Sequence, residues 1–238
     1  MQAITLVTGS ARGIGLGVAR HLRERGDRVH VVWRSEGQAA AALRAEFGEL
    51  AHQADVTQAA EVQALVQQVL EREGRLEHLV HVVGEYVSAP LSETSDAEFE
   101  RMWSSNVSSA HRLMAAARPA LRASSGDAVF FGCSGLAGFR ARKATAAYAA
   151  AKSALLVLVK SWALEEAAHG VRVNMVSPGH VPHPDAHADT HDVARLEGIP
   201  LGRPGSVLDL AQAVAFLGSP QAEYMTGNEL LVSGGWML

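Results

Sequence analysis

Tyr148 and Lys152 stand four residues apart in a run of alanines and leucines at residues 146–156. Such a run favours an α-helix, and on a helix residues i and i+4 share one face. A nearby cation favours phenolate over phenol and so lowers a tyrosine pKa. A tyrosine tuned in this way exchanges a proton with an alcohol or a carbonyl near neutral pH. The pair therefore indicates a general acid/base, although a surface tyrosine and a solvated lysine can share the spacing by coincidence.

The elements that must position this pair alternate between strand and helix along the whole chain of 238 residues. The pattern predicts strands at residues 3–7, 28–33, 50–53, 79–83, 128–131, 171–176 and 229–232. It predicts helices at residues 16–25, 38–47, 59–73, 97–117, 145–168 and 207–217. This alternation is typical of an α/β fold, and we expect a single Rossmann-type domain over residues 1–238. Its doubly wound parallel sheet would have about seven strands, helices on both faces and a ligand crevice at the carboxyl ends of the strands.

A glycine-rich turn joins the first predicted strand to the first helix. Glycines let a backbone approach a pyrophosphate, and the following helix N-terminus offers unpaired N–H groups. At the first strand-to-helix turn of a βαβ unit this pattern predicts a dinucleotide site. The predicted contacts are Gly9, Ser10, Arg12, Gly13, Ile14 and Gly15.

Two arginines indicate which dinucleotide is bound. An acidic residue at the end of the second strand would bind the 2′-hydroxyl of an adenosine ribose, but Arg34 stands there and Arg12 lies in the glycine loop. Two guanidinium groups suit a 2′-phosphate, which favours NADP(H) over NAD(H). Asp55 and Val56, after the third strand, would lie against the adenine.

Composition excludes several other classes of protein. The formal net charge is −4 and no basic block is present, so we expect no nucleic-acid partner. Cys133 is the only cysteine, which excludes an internal disulfide and fits a reducing, cytoplasmic location. The N-terminus lacks the charged region of a signal peptide, and the apolar stretches fall short of the roughly 20 residues that span a bilayer. The histidines of residues 180–192 are irregularly spaced, and we expect a mobile lid over about 180–198 rather than a metal site.

Jointly these motifs resemble the short-chain dehydrogenase/reductase family in its single-domain, NADP-dependent form, and most closely its 3-oxoacyl-carrier-protein reductase-like members. The resemblance covers nearly the whole chain. It rests on Thr8-Gly9-x-x-x-Gly13-Ile14-Gly15, Asp55-Val56, Asn106-Val107, Tyr148-x-x-x-Lys152, Asn174, Ser177-Pro178-Gly179, Thr226-Gly227 and Gly234-Gly235.

The resemblance implies a role for each catalytic position. Tyr148 would be the general acid/base, and Lys152 would lower its pKa and hold the nicotinamide ribose. Asn106 would support a water that relays protons to Lys152. The crevice would also contain Gly84, Pro178 and Gly179, and the backbone near Val181 would hold the nicotinamide carboxamide.

Three positions depart from the family pattern. His81-Val82-Val83-Gly84 replaces Asn-Asn-Ala-Gly after the fourth strand, so we expect the side chains that fix this strand to be lost. Gly135 occupies the position of the catalytic serine, 13 residues before Tyr148, and Ser134 falls one residue early. Either a shift in the loop brings the Ser134 hydroxyl into use or that hydroxyl is absent from catalysis. Pro182-His183 replaces a threonine that often binds the carboxamide.

The predicted function is an NADPH-dependent oxidoreductase that moves hydride between NADP(H) and a carbonyl/alcohol substrate, of ketoacyl type or another small ketone. A pteridine-type C=N reductase and a catalytically weak NADP-binding sensor or partner subunit stay open as alternatives. Three loops, at 85–94, 138–145 and 180–198, would set the substrate. The resemblance further implies that helices 97–117 and 145–168 pair across a homodimer or homotetramer.

Overall fold

Seven parallel strands form one sheet in the computed structural model, which describes residues 2–136, 138, 140–182 and 197–237. The order across the sheet is β3-β2-β1-β4-β5-β6-β7, so the direction of winding reverses between β1 and β4. In open sheets of this type the crevice at the reversal binds ligands. The strands are β1 (Ile4–Thr8), β2 (Arg28–Trp33), β3 (Ala51–Gln53), β4 (His78–His81), β5 (Asp127–Phe131), β6 (Arg172–Pro178) and β7 (Glu229–Val232). The expected α/β fold with a doubly wound parallel sheet is confirmed.

Seven α-helices connect the strands in the described part of the chain. They are α1 (Gly13–Glu24), α2 (Gln38–Phe47), α3 (Ala59–Glu73), α4 (Asp96–Trp103), α5 (Ser109–Ser124), α6 (Ala146–Glu166) and α7 (Val207–Leu217). Helices α3, α5 and α6 cover one face of the sheet, and α1, α2 and α7 cover the other. Consecutive residues of a strand pack into the hydrophobic cores on opposite faces of the sheet, because side chains alternate across a strand. Leu6 packs with the first set of helices and Val7 with the second.

The prediction of one helix over residues 97–117 is wrong in two respects. A π-helical turn, Ser104–Ser108, interrupts the predicted helix and separates α4 from α5. Helix α5 continues to Ser124 and contains Pro119. Helix α4 begins at a reciprocal cap, in which Ser95 and Glu98 bond each other's backbone N–H groups. Periodicity cannot reveal the π turn, because the extra residue shifts the pattern only locally. Such turns frequently occur at functional sites, and this one contains Asn106.

Residues Ala146–His169 are long and apolar enough to cross a membrane, by length and composition alone. The expectation that every apolar stretch falls short of that length is therefore wrong. A core helix of a globular protein passes the same test, and α6 buries a stripe along the sheet. Ala151, Leu155 and Val159 recur every four residues on this stripe and are almost fully buried.

The predicted lid, at about 180–198, lies mostly outside the described residues, which resume at Glu197. His180 to Pro182 are described and border the crevice. The His183 position belongs to the part that is not described.

Candidate active site

A cavity of about 580 Å³ opens at the carboxyl ends of the strands. Its walls come from the segments that follow β4, β5 and β6, from the first turns of α6 and from the C-terminal residues Trp236 and Met237. The cavity brings together eight of the predicted site residues. They are Ile14, Gly84, Ser134, Tyr148, Lys152, Pro178, Gly179 and Val181.

Tyr148 and Lys152 lie in the first two turns of α6 and both border this cavity. The Lys152 Nζ atom is 5.7 Å from the centroid of the Tyr148 ring. It donates a hydrogen bond of 2.7 Å to the backbone carbonyl of Phe131, the last residue of β5. Lys152 is only 3% exposed, so this carbonyl is a necessary partner for its ammonium group. The predicted juxtaposition of phenol and ammonium is present.

The prediction that Lys152 lowers the pKa of Tyr148 is wrong for the protein in this geometry. Burial raises the pKa of Tyr148 above its ordinary value, and the neighbouring Cys133 and Tyr86 act in the same direction. Burial also lowers the pKa of Lys152 to about 8. The reason is that desolvation disfavours both charged forms, while the Lys152 Nζ atom is directed to the Phe131 carbonyl. Tyr148 therefore keeps its proton at neutral pH.

Asn106 lies in the π turn behind the cavity and is completely buried. Its amide nitrogen donates to the carbonyls of Met102 (2.9 Å) and Glu85 (3.0 Å). Its Oδ1 atom has no hydrogen-bond partner among the described residues. A Cβ on Gly84 would stand 2.2 Å from this oxygen and 3.0 Å from the Lys152 Nζ atom, so both atoms flank Gly84. A buried acceptor without a partner beside an ammonium group can be satisfied by a bridging water.

His81 fixes the strand at the position where the family pattern has asparagine. The expectation that fixing side chains are lost there is wrong. The His81 ring contacts Thr8 Oγ1 at 2.7 Å and Ser109 Oγ at 3.1 Å, linking β4 to β1 and α5. Ser109 donates its proton to the Ser105 carbonyl at 2.5 Å, so it must accept from His81 Nε2–H. His81 Nδ1 then accepts from Thr8, and burial holds the His81 pKa down at about 3, which keeps the ring neutral.

Ser134 does not present a free hydroxyl to the cavity. It is 3% exposed, and both its hydroxyl (2.7 Å) and its backbone N–H (3.0 Å) donate to the Pro178 carbonyl. A hydroxyl has one proton to donate, so Ser134 ties the loop after β5 to the end of β6. The Ser134 hydroxyl is therefore committed to Pro178 in this geometry, and its assignment as a catalytic residue stays a prediction. Gly135, at the serine's position, has a φ angle of +75°, a conformation that L side chains rarely adopt.

The glycine loop has the tight packing that a dinucleotide site requires. A Cβ on Gly15 would stand 2.1 Å from the Gly9 carbonyl oxygen, so only glycine lets α1 begin this close to β1. Arg12 is the N-cap residue of α1. Ser10 is fully buried; its N–H donates to the Val32 carbonyl, and its hydroxyl bonds Val7 and Val32. We assign Ser10 to holding the loop rather than to contacting a ligand.

Arg34 directly follows β2 and is largely exposed at the carboxyl edge of the sheet. Its guanidinium group is 3.6 Å from the Glu85 carboxylate, an exposed pair of the kind that contributes little energy. The Asp55 carboxylate accepts hydrogen bonds from the backbone N–H and the hydroxyl of Thr57, so it stabilises the turn after β3. Val56 is buried in that turn.

Sequence reasoning missed Tyr86, Arg142 and Met237 as individual cavity residues. The Tyr86 ring meets the Tyr148 ring edge-on, with 5.0 Å between centroids. Arg142 donates to the carbonyls of Ser134 (3.0 Å) and Gly135 (2.8 Å) and approaches Met237 Sδ at 3.3 Å. Tyr86 and Arg142 belong to two of the loops expected to set the substrate, but only the tertiary structure places both side chains in the cavity wall.

The fold, with a glycine-rich turn between β1 and α1, is typical of dinucleotide-binding proteins. Residues 9–237 match the family model described as enoyl-(acyl carrier protein) reductase. L-fucose dehydrogenase of Mus musculus is 35% identical over 98% of this chain and 87% of its own. The 3-oxoacyl-[acyl-carrier-protein] reductase of Staphylococcus aureus is 33% identical over 99% of this chain and 98% of its own.

Solved structures agree with these sequence relatives. A dehydrogenase/reductase from Sinorhizobium meliloti superposes with a TM-score of 0.90 at 30% identity, covering 98% of this chain and 94% of its own. A blue fluorescent protein from a metagenomic library, in complex with NADPH, gives a TM-score of 0.89 at 31% identity and covers 99% and 98%. The chain belongs to the short-chain dehydrogenase/reductase family.

Proposed function

We propose that this oxidoreductase uses NADPH and reduces a carbonyl group to an alcohol. One observation carries the proposal: Tyr148, Lys152 and the orphaned Oδ1 atom of Asn106 converge behind one cavity at the carboxyl edge of the sheet. A structural helix has no need of a buried lysine and a buried, partnerless amide oxygen, both of which cost free energy.

The described residues fit a nicotinamide dinucleotide. The turn from Gly9 to Gly15 would hold the pyrophosphate at the N-terminus of α1. Lys152 would hold the nicotinamide ribose, and the backbone near Val181 would hold the carboxamide. When bound, NADPH supplies the hydride.

The protein itself supplies the proton. Tyr148 holds a proton at Oη because burial raises its pKa, and it would donate that proton to the carbonyl oxygen as negative charge develops there. Lys152 and a water on Asn106 Oδ1 would restore the proton. The lowered Lys152 pKa, about 8, places proton exchange at this ammonium close to neutral pH.

Arg34 supports the choice of NADPH over NADH. It stands after β2, where an acidic residue would bind the 2′-hydroxyl, and Arg12 caps α1 on the same edge of the sheet. A guanidinium group forms strong, often bidentate hydrogen bonds with a phosphate. Glu85 binds Arg34 only through an exposed contact, which a phosphate can displace.

Two relatives suggest different substrate classes, because one is named for L-fucose and the other for a 3-oxoacyl-[acyl-carrier-protein]. A weakly catalytic sensor is a second candidate, favoured only by the glycine at position 135. The buried Lys152 and Asn106 weigh against it, since a protein freed from catalysis would be under no pressure to keep these costly groups.

The decisive experiment follows the disappearance of reduced nicotinamide when purified protein is mixed with NADPH and a panel of ketones and aldehydes. We expect turnover with NADPH, and we expect Tyr148→Phe to abolish it while NADPH binding persists. Tyr224→Phe is the control, because Tyr224 is fully exposed. Undiminished turnover in Tyr148→Phe would refute the assignment, and tight NADPH binding without turnover would favour the sensor.

We also propose that α4 and α6 form the contact of a homodimer or homotetramer. Four large apolar side chains are exposed on these two helices: Phe99, Trp103, Val157 and Leu164. Exposed apolar surface of this kind is typical of protein–protein contacts. Light scattering should show an oligomer that Leu164→Glu dissociates; an unchanged mass in that variant would contradict the assignment.

A further inference from the structure

We propose that Arg142 takes the place of the missing serine and makes the enzyme selective for carbonyl substrates that carry a carboxylate. This inference rests on the proposed reductase function and names the substrate class of the same site. The space beside Gly135 is occupied. A Cβ on Gly135 would stand 2.6 Å from Arg142 Nη2, so the guanidinium group fills the space of any side chain at that position.

The two terminal nitrogens of Arg142 have different hydrogen-bond partners. Nη2 donates to the Ser134 and Gly135 carbonyls at 3.0 and 2.8 Å, which uses both of its protons. It therefore anchors the guanidinium group on the loop after β5. Among the described residues, Nη1 is bonded only to Met237 Sδ at 3.3 Å, and a thioether is a weak acceptor. Nη1 is the atom that remains available to a ligand.

The charge of Arg142 has no counter-ion in the described part of the chain. No carboxylate of residues 2–136, 140–182 or 197–237 lies within ion-pair distance of it, and no described Asp or Glu side chain lines the cavity. Lys152 adds a second basic group to the same walls. A cavity with two basic groups and no acidic side chain among its described walls favours an anionic ligand.

A carboxylate matches these requirements better than a neutral group. It would replace Met237 Sδ as the partner of Nη1 and form a charge-assisted hydrogen bond, which is roughly twice as strong as a neutral one. Tyr148 lines the same cavity, so an oxo acid could place its carboxylate on Arg142 and its carbonyl at the Tyr148 hydroxyl. The predicted substrates are therefore short oxo acids, and the products are the corresponding hydroxy acids.

The test compares matched pairs of substrates. Short 2-, 3- and 4-oxo carboxylates are each assayed with NADPH beside their own methyl esters, in wild-type protein and in Arg142→Met, Arg142→Lys and Arg25→Met. We expect the wild type to prefer at least one acid over its ester. Arg142→Met should lower kcat/KM for that acid by about 10- to 100-fold and leave the ester within about threefold. Arg142→Lys should restore part of the loss, and Arg25→Met, which removes an exposed arginine at the end of α1 away from the cavity, should have no effect.

Three outcomes would overturn the proposal: a wild-type preference for every ester, an equal loss on acid and ester in Arg142→Met, or no rescue by lysine. A binding measurement separates this proposal from the reductase function. Calorimetric titration of NADPH-loaded Tyr148→Phe protein with 2-oxobutanoate should show binding that Arg142→Met removes. Binding without any turnover in the wild type would refute the reductase function but keep the Arg142 site. Turnover without Arg142-dependent binding would refute the Arg142 site but keep the reductase function.

Discussion

Lys152 Nζ donates a 2.7 Å hydrogen bond to the carbonyl of Phe131, which joins helix α6 to the carboxyl end of β5. Both residues are buried, and burial lowers the pKa of Lys152. Lys152 is charged in the unfolded chain up to its ordinary pKa of 10.5, but in the folded protein its pKa is about 8. The folded protein therefore binds fewer protons than the unfolded chain between these two pH values.

The first prediction follows from this difference. Because the unfolded state binds more protons in this window, the free energy of unfolding should rise with pH from about 8 to about 10.5. In wild-type protein this gain should exceed that of Lys152→Met by about 3 kcal/mol. Chemical denaturation at a series of pH values measures it. Parallel pH curves for the two proteins would contradict the lowered pKa.

His81 gives a second prediction, at the acid side. Its pKa is about 3 in the folded protein and 6.5 ordinarily, so the unfolded chain binds the extra proton between these values. Stability should fall as the pH drops below about 6.5, and at pH 5 the loss due to His81 should be about 2 kcal/mol. His81→Asn should show a shallower acid slope than wild type in thermal or chemical unfolding. His169→Asn is the control, because His169 is exposed; equal slopes in the two variants would count against the buried, neutral ring.

Gly84 provides a third prediction. A methyl group there would stand 2.2 Å from Asn106 Oδ1 and 3.0 Å from Lys152 Nζ. Gly84→Ala should cost about 1–3 kcal/mol of stability through overpacking and should reduce kcat more than tenfold, because it displaces both polar groups. Gly218→Ala is the matched control, since its Cβ would meet only ordinary contacts at 3.6 Å and beyond. Wild-type kcat in Gly84→Ala would show that Asn106 and Lys152 do not act together.

Cofactor choice supplies a fourth prediction. Arg34→Asp should raise KM for NADPH by at least tenfold, because it removes a phosphate-binding cation and introduces repulsion. The same change should lower or maintain KM for NADH, since an acid at this position can bind the 2′-hydroxyl. Arg72→Asp makes the same charge change on the exposed side of α3, where Arg72 pairs with Glu49. If both variants weaken NADPH binding equally, Arg34 does not bind the 2′-phosphate.

Local patterns in the sequence predicted the fold and the juxtaposition of Tyr148 and Lys152 well. Strand and helix periodicity, with the glycine turn, is sufficient to predict a doubly wound parallel sheet, because each element must bury its apolar face against the next layer. The spacing of Tyr148 and Lys152 fixed their shared face for the same local reason. The π turn at Asn106 was missed, because one additional residue in a helical turn leaves almost no mark on periodicity.

Groups that meet through the tertiary structure were beyond such reasoning. The bond from Ser134 to Pro178 and the bridge from His81 to Thr8 and Ser109 join different elements, and the approach of Arg142 to Gly135 closes the loop after β5 on itself. The pKa of Tyr148 also depends on burial, which raises it. The sequence by itself determined the family, the sheet and the shared helix face of Tyr148 and Lys152. Only the packing of the loops decided that the Arg142 guanidinium group fills the space beside Gly135 in the wall of the same cavity, because that contact depends on the folded loop and not on helical or strand periodicity.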